Sequence, residues 1–312
     1  MVRRKQQVWR MALLSLLGLC LVGTHTSCAL IPGGPTDAFS SMTWAASGEI
    51  FFMRGDYGVQ EGLWVRENDG TLKLLHEENT PFYSCDRAYV VDTFAHLEDA
   101  IGITVWCADG DPVEYAAYGL NVETYRVEPI RYADGLMRVL PLGDGGVGIE
   151  RVLGKNGCQL LYELNGHERE PITINMGEEV IGRSNGSICH FPQIRHEIAY
   201  SPKSGQIAFS LKTEKDAPLS VALWKVDDNS PTVVLDGIDL VGHLAFSADG
   251  SFLYITSVTS SRGDSQSGIV RVNTMTGEYD WIIKSVDVDG LATAPEGDGL
   301  VYTIDGEFIF SE

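Results

Sequence analysis

The segment Gly182-Arg-Ser-Asn-Gly186 sets a serine between two glycines at the spacing of a nucleophile elbow. Such a serine is activated when a strand precedes it and a helix follows, because the strained turn then exposes Oγ beside an oxyanion hole. Val180-Ile181 can end a strand, but Ser187-Ile-Cys-His-Phe-Pro192 meets a proline before any helical length is reached. Ser184 therefore reads as part of a glycine-rich loop. Six histidines lie beyond His25, namely His76, His96, His167, His190, His196 and His243. None is paired at the i, i+2 or i, i+4 spacing that would put two metal ligands on one element. His190, His196 and His243 could converge from separate elements, but the plainer reading is solvated or hydrogen-bonded loop histidines, and no metal is expected. Asp109-Gly-Asp111 and Asp287-Val-Asp289 offer carboxylate pairs without the remaining ligands of a calcium loop, so they read as hairpin turns. The two Arg-Gly-Asp tripeptides, at 54–56 and 262–264, read the same way. No nucleophile or acid/base set coheres, so no catalytic residue and no cofactor is expected.

Besides Cys20 and Cys28 the chain carries Cys85, Cys107, Cys158 and Cys189. Four cysteines in an exported domain can form two disulfides, with three possible connectivities. Pairing sequence neighbours, Cys85 with Cys107 and Cys158 with Cys189, is the simplest expectation, and buried free thiols are the alternative. The absence of any Cys-x-x-Cys pair argues against structural zinc.

Export is expected from the first residues. Arg3, Arg4, Lys5 and Arg10 precede an apolar run from Met11 to Gly23, 13 residues long. A helix needs about 20 apolar residues to span a bilayer, so this run reads as the core of a secretory signal peptide. Thr24-His25-Thr26-Ser27-Cys28 resembles a bacterial lipobox, which implies cleavage after residue 27 and lipidation of Cys28. His25 departs from that pattern's aliphatic residue, and cleavage after Ala29 is the competing reading. Residues 28–36 then form a tether to a membrane, and 37–312 the folded domain. Losing residues 1–27 would change the net charge from -20 to -24, since four cations and no anion leave. A chain so acidic is opposed by its own field to nucleic acid and anionic surfaces.

The elements that must position any site are strands. Of 312 residues 34 are glycine, and 44% are hydrophobic, which excludes a disordered chain or a coiled coil. Beyond residue 36, short β-branched and aromatic runs such as Glu49-Ile-Phe-Phe-Met53 and Ser251-Phe-Leu-Tyr-Ile-Thr256 alternate with turn dipeptides. Asp-Gly occurs nine times and Asn-Gly three times, the pairs that favour the φ > 0 turns of antiparallel hairpins. The chain is expected to be all-β.

These hairpins recur. Ile198-Ala-Tyr-Ser-Pro-Lys-Ser-Gly-Gln-Ile-Ala-Phe209 aligns with Leu244-Ala-Phe-Ser-Ala-Asp-Gly-Ser-Phe-Leu-Tyr-Ile255, with residues 43–52 and with 291–302. Anchored on Trp44, Tyr200, Phe246 and Thr293, the spacings are 156, 46 and 47 residues. The first leaves room for two more units, for which Thr93 to Trp106 and Val139 to Ile149 are candidates. A period near 45 with several strands per unit is the signature of a β-propeller, whose blades each have two apolar faces and must stack. A pair of β-sandwiches sharing the same turn signals is the alternative.

The repeated unit resembles the PD40 or WD40-like repeat of TolB-type propellers. That resemblance implies a six-bladed β-propeller of four-stranded antiparallel blades. Only 22 residues follow Gly290, enough for three strands, so residues 36–42 are expected to supply the fourth beside 306–311 and close the last blade. The function expected is a non-catalytic envelope lipoprotein that binds an envelope protein or glycan and no nucleic acid. The loops at 212–219 and 259–268 are the expected contacts. The alternative is an enzyme acting on a polysaccharide or peptide at the channel mouth.

Overall fold

Aromatic and β-branched runs separated by Asp-Gly turns become strands throughout the computed structural model, and the described residues contain no helix. Those residues are 38–55, 62–83, 85–97, 99–107, 114–133, 138–142, 146–152, 158–164, 167–168, 172–174, 198–201, 203–211, 218–225, 231–261 and 264–311. The leader (1–27), the tether (28–36), Ser184, Cys189, His190, His196 and the Asp109 to Asp111 pair lie outside them.

Among the described residues the strands fall into six antiparallel sheets, each a near-continuous stretch of chain. The first holds β1 (Ala38–Trp44), β2 (Ile50–Gly55), β3 (Gly62–Arg66) and β4 (Leu72–Glu77) in that order. The second runs β5 (Thr80–Phe82), β6 (Cys85–Leu97), β7 (Ala100–Cys107), β8 (Glu114–Asn121) and β9 (Val127–Ala133). In the third, β10 (Arg138–Leu142), β11 (Gly146–Val152) and β12 (Cys158–Leu164) are followed by β13 (His167–Glu168) and β14 (Ile172–Ile174), both paired to β12. The fourth holds β15 (Ile198–Ser201), β16 (Gln206–Leu211), β17 (Leu219–Lys225) and β18 (Thr232–Ile238). The fifth holds β19 (Leu240–Phe246), β20 (Phe252–Ser261), β21 (Asp264–Asn273) and β22 (Tyr279–Lys284). The last has β23 (Gly290–Thr293), β24 (Leu300–Ile304) and β25 (Glu307–Ser311).

The first strands of the main sheets, with β6 of the second, lie against one another in series. β1 lies against β6, β6 against β10, β10 against β15, β15 against β19, β19 against β23, and β23 against β1. These inner strands therefore form a closed cycle. The four anchor residues of the repeat occupy matching register positions on it, with Trp44 opposite Ile50, Tyr200 opposite Ile207, Phe246 opposite Leu253 and Thr293 opposite Leu300. The turns beyond them match too: Ala45, Ser247 and Ala294 amides donate to the carbonyls of Glu49, Phe252 and Gly299 at 2.7–2.9 Å.

The core lies between sheets. Phe51, Val65, Val90, Ile103 and Tyr118 join the first to the second, and Leu253, Val270, Val221 and Leu235 join the fifth to the fourth. Ile50, Phe51, Phe52 and Met53 are all buried, so β2 is apolar on both faces and reads as a run rather than an alternation. Each such side chain contributes about 1.5–3 kcal/mol of burial. Two third strands carry a glycine where the fourth strand begins to pair, Gly62 at the start of β3 and Gly268 within β21. Gly62 and Gly268 have positive φ, and a Cβ there would lie 2.0 Å and 2.1 Å from the carbonyl oxygens of His76 and Ile283.

Closure differs from the sequence expectation. Residues 38–44 pair with β2, from Ala38 opposite Gly55 to Trp44 opposite Ile50, and among the described residues the last sheet stays three-stranded. The reason is packing. Met42 and Trp44 bury against Ala292, Val301 and Phe308, which holds the strand on the inner side beside β23 instead of outside β25. Side-chain packing seals the seam: Trp44 meets Phe310 and Phe52 meets Phe308 edge to face, at 5.5 Å and 5.3 Å. The guanidinium of Arg66 lies 5.0 Å from the Phe310 ring centre.

Candidate functional site

Among the described residues three inner strands carry a bulge, and in β1 and β19 the skipped residues include a polar side chain bonded to the neighbouring sheet. In β1 the extra residue is Ser41, between the pairs Ser40–Met53 and Met42–Phe52, with φ of 50°. In β19 the ladder skips Gly242 and His243 between Val241–Ser257 and Leu244–Ile255. In β6 it skips one residue before Asp92. A bulge re-aims the side chain it carries, and here the result is a set of hydrogen bonds linking sheet to sheet.

Between the first and second sheets, Ser41 Oγ donates to Asp92 Oδ1 at 2.6 Å and accepts from the Thr93 amide at 2.6 Å. Thr93 Oγ1 returns a bond to the Ser41 carbonyl at 3.1 Å, and Thr43 Oγ1 joins Thr93 Oγ1 at 2.9 Å. Between the fifth and last sheets, His243 Nε2 donates to the Asp289 carbonyl at 2.7 Å and Thr293 Oγ1 to the Phe246 carbonyl at 2.7 Å. A carbonyl only accepts, so the neutral imidazole carries its proton on Nε2. The His243 amide is held by Thr256 Oγ1 at 2.7 Å.

The electrostatics follow from burial. Desolvation lowers the His243 pKa to about 4, against the opposing effects of the Asp289 carbonyl and the Asp92 charge. Asp289, just before β23, is raised to about 6 by burial and by the neighbouring carboxylates of Asp305 and Asp287. Ser41 is 4% exposed and Asp92 6%, so neither offers an atom to a substrate. The arrangement fixes the inner strands against each other.

The last sheet presents a different surface. From Ser285 to Glu312 the chain has seven acidic residues and no lysine, arginine or histidine. Glu296, Asp298 and Glu307 are exposed, and Asp287 and Asp305 crowd Asp289.

The other residues singled out by sequence are dispersed. Cys85 and Cys107, at the start of β6 and the end of β7, form a disulfide with Cα atoms 5.7 Å apart. Cys158 begins β12. His76 is buried in β4 against Phe82, with ring centres 4.8 Å apart, and desolvation lowers its pKa. His96 and His167 lie in β6 and β13. Asp287 and Asp289 both precede β23, and no group of three metal-ligating side chains occurs among the described residues. Arg54 and Gly55 end β2, and Asp264 begins β21. Residues 259–268, expected as a loop, are largely strand: Thr259 pairs with Gln266 and Ser261 with Asp264, extending the β20–β21 hairpin beyond both neighbours. The Ser41–Asp92–Thr93 cluster was missed because Ser41 lies 51 residues from Asp92 and bulges carry no local sequence signature.

Several solved structures resemble this one at low sequence identity. Hydrazine synthase of Kuenenia stuttgartiensis matches with a TM-score of 0.53 and 13% identity, over 90% of this chain and 77% of that one. TolB from Acinetobacter baumannii matches at 0.50 and 13%, over 78% of this chain and 53% of its own, so the chain spans about half of that protein's length. Oligogalacturonate lyase from Vibrio parahaemolyticus matches at 0.50 and 13%, over 85% and 74%. The fold is a TolB-like β-propeller. No family model matches the sequence, and no curated protein matches it either. At this identity the propeller supplies an architecture and the site must supply the function.

Proposed function

We propose that this chain is an exported, lipid-anchored TolB-like propeller that acts as a non-catalytic binding scaffold in a bacterial envelope. The leader at 1–27 directs export, Cys28 takes the lipid, residues 28–36 tether, and 37–312 form the propeller, its six sheets serving as six blades. The partner is an envelope protein or glycan bound at a rim. The observation that carries this reading is the occupation of the inner wall. Ser41, Thr43, Asp92, Thr93 and His243 hold neighbouring sheets together through buried hydrogen bonds, so the axial polar groups stabilise a rigid platform. The Cys85–Cys107 disulfide suits an oxidising compartment. Intact-mass analysis of the membrane-extracted protein tests the anchor: an N-terminal diacylglyceryl cysteine at residue 28 supports it, and a free Leu30 amino terminus contradicts it. Affinity capture from the envelope, followed by reconstitution with purified components, tests the scaffold.

A second reading rests on Asp289. Its carboxyl is raised to about 6 by burial and by Asp305 and Asp287, a range that suits proton transfer near neutral pH, and an oligogalacturonate lyase has a similar fold. An enzyme acting on an extracytoplasmic glycan or peptide at the channel mouth would lose activity in Asp289→Asn while still binding substrate.

A further inference from the structure

Among the described residues, Ser41, Asn79, Tyr83, Tyr125, Ser285 and Asp305 take a left-handed backbone without being glycine. Four of these have short polar side chains. The two tyrosines are bulky at such a φ, and an outlier of that kind calls for a reason. For Tyr125, with φ of 53°, the reason is packing: its ring meets Phe51 edge to face at 6.4 Å, and its hydroxyl donates to Glu67 Oε1 at 3.3 Å. Tyr83, with φ of 55°, is instead 66% exposed. Its surroundings hold it firmly all the same. Phe82 and Cys85 pair on either side of the β5–β6 turn, and Cys85 is bonded to Cys107. Tyr118, buried in β8, contacts the Tyr83 ring at 5.3 Å and the Phe82 ring at 5.4 Å, and His76 closes on Phe82 at 4.8 Å. A strained turn, a disulfide and an aromatic row thus present one tyrosine to solvent. A rigid, exposed tyrosine gives large contact area at low entropic cost, which is why such residues anchor interfaces.

We propose that Tyr83 is an anchor for a partner protein and receives a lysine or arginine side chain of that partner on its ring. The face of an aromatic ring attracts a cation. The local charge acts the same way: from Glu77 to Ala88 the chain has three carboxylates, Glu77, Glu78 and Asp86, against one cation, Arg87. Glu77 and Asp86 are exposed, as is Arg87. The whole chain carries a net charge of -20, so a basic partner is drawn in and an acidic one repelled. This inference names the contact residue and partner chemistry for the scaffold proposed above, and rests on that reading.

The test uses the full chain at physiological ionic strength, with fluorescein-labelled alternating Lys-Gly and Glu-Gly octapeptides and labelled chitohexaose as probes. Fluorescence anisotropy reads binding. Tyr83→Phe, which keeps the ring, should bind the Lys-Gly peptide as the parent does. Tyr83→Gly should bind it about two- to fivefold more weakly, the range of an exposed cation–π contact. Tyr83→Gly should also melt within about 4 °C of the parent, because relief of the left-handed backbone offsets the lost Tyr118 contact. A larger drop would make the ring structural and overturn the proposal. Failure of the parent to bind the Lys-Gly peptide, equal binding of the two peptides, or equal affinity of parent and Tyr83→Gly would overturn it too. Chitohexaose binding that depends on Tyr83 while peptide binding does not would assign the residue to a glycan, which also overturns it. If a purified envelope partner binds Tyr83→Gly as well as the parent, Tyr83 is not the anchor and the scaffold stands. If no envelope component binds either protein, the scaffold reading fails as well.

Discussion

Trp44, the last residue of the innermost strand of the first sheet, packs edge to face on Phe310 in the final strand of the last sheet, with ring centres 5.5 Å apart. Two residues separated by most of the chain thus form the joint of the ring. With Phe52 against Phe308 and Arg66 across both phenylalanines, this joint replaces the strand exchange that would otherwise close the array. Phe308→Ala should cost about 2–3 kcal/mol, below the usual 3–5 for a fully buried ring because Phe308 is partly exposed. Phe310→Ala, at 47% exposure, should cost about 1 kcal/mol. Urea unfolding of both variants checks the order.

Ser41 and Asp92 should behave as a coupled pair. Ser41→Ala leaves the Asp92 carboxylate buried with one donor fewer, and should destabilise by about 1–3 kcal/mol. Ser41→Gly loses the same bond but relieves a φ of 50°, so it should be milder by roughly 1 kcal/mol. A double-mutant cycle with Asp92→Ala should return a nonzero coupling energy. Additive effects would show that the hydroxyl and carboxylate do not act together.

His243 and Asp289 should give pH profiles of opposite slope. The folded His243 titrates near 4, below its ordinary 6.5, so its contribution to stability is full above 6.5 and is lost as pH falls toward 4. Folded Asp289 titrates near 6, above its ordinary 3.8, so its contribution is full below 3.8 and is lost as pH rises through 6. Between pH 4 and 6 the two largely offset each other. Relative to the parent, Asp289→Asn should therefore gain stability as pH rises across that window, and His243→Gln should lose it. Thermal melts of both variants at half-unit intervals test the signs, and parallel profiles would contradict the assignment.

Gly268→Ala should destabilise by about 2 kcal/mol or more, because its Cβ would fall 2.1 Å from the Ile283 carbonyl oxygen at a φ of 147°. Gly277→Ala is the control, since that position also has positive φ but its Cβ meets nothing within 4 Å. Comparable losses at both sites would mean that backbone conformation alone governs the cost.

Replacing Cys85 and Cys107 by alanine should lower stability by roughly 3 kcal/mol, as expected for a loop of this size, their separation being 22 residues. The effect should vanish when parent and variant are compared in reductant.

Much of the architecture was legible because a propeller repeats its hairpins. Asp249-Gly250 and Asp305-Gly306 announce turns whose glycines do adopt positive φ, and Trp44, Phe246 and Thr293 mark the same register in three sheets. The Val139–Ile149 unit also pairs as its spacing implied. What stayed hidden was tertiary. Whether residues 38–44 lie inside β23 or outside β25 depends on where Met42 and Trp44 find apolar partners, and a strand's sequence does not name its neighbour. The short β5 was not foreseen because Thr80-Pro-Phe82 carries a proline and only three residues. The inner-wall cluster depends on bulges, which shift register without leaving a motif.

The ring itself is tested most directly by linking its two ends. Arg66→Cys and Phe310→Cys place thiols where the guanidinium now lies over the ring, 5.0 Å from its centre. At low protein concentration a short bis-maleimide should join them within one molecule, giving a faster-migrating species under denaturing electrophoresis that neither single variant produces. Efficient labelling of both cysteines without that species would show that the first and last sheets are not neighbours, and the closed cycle of inner strands would be wrong.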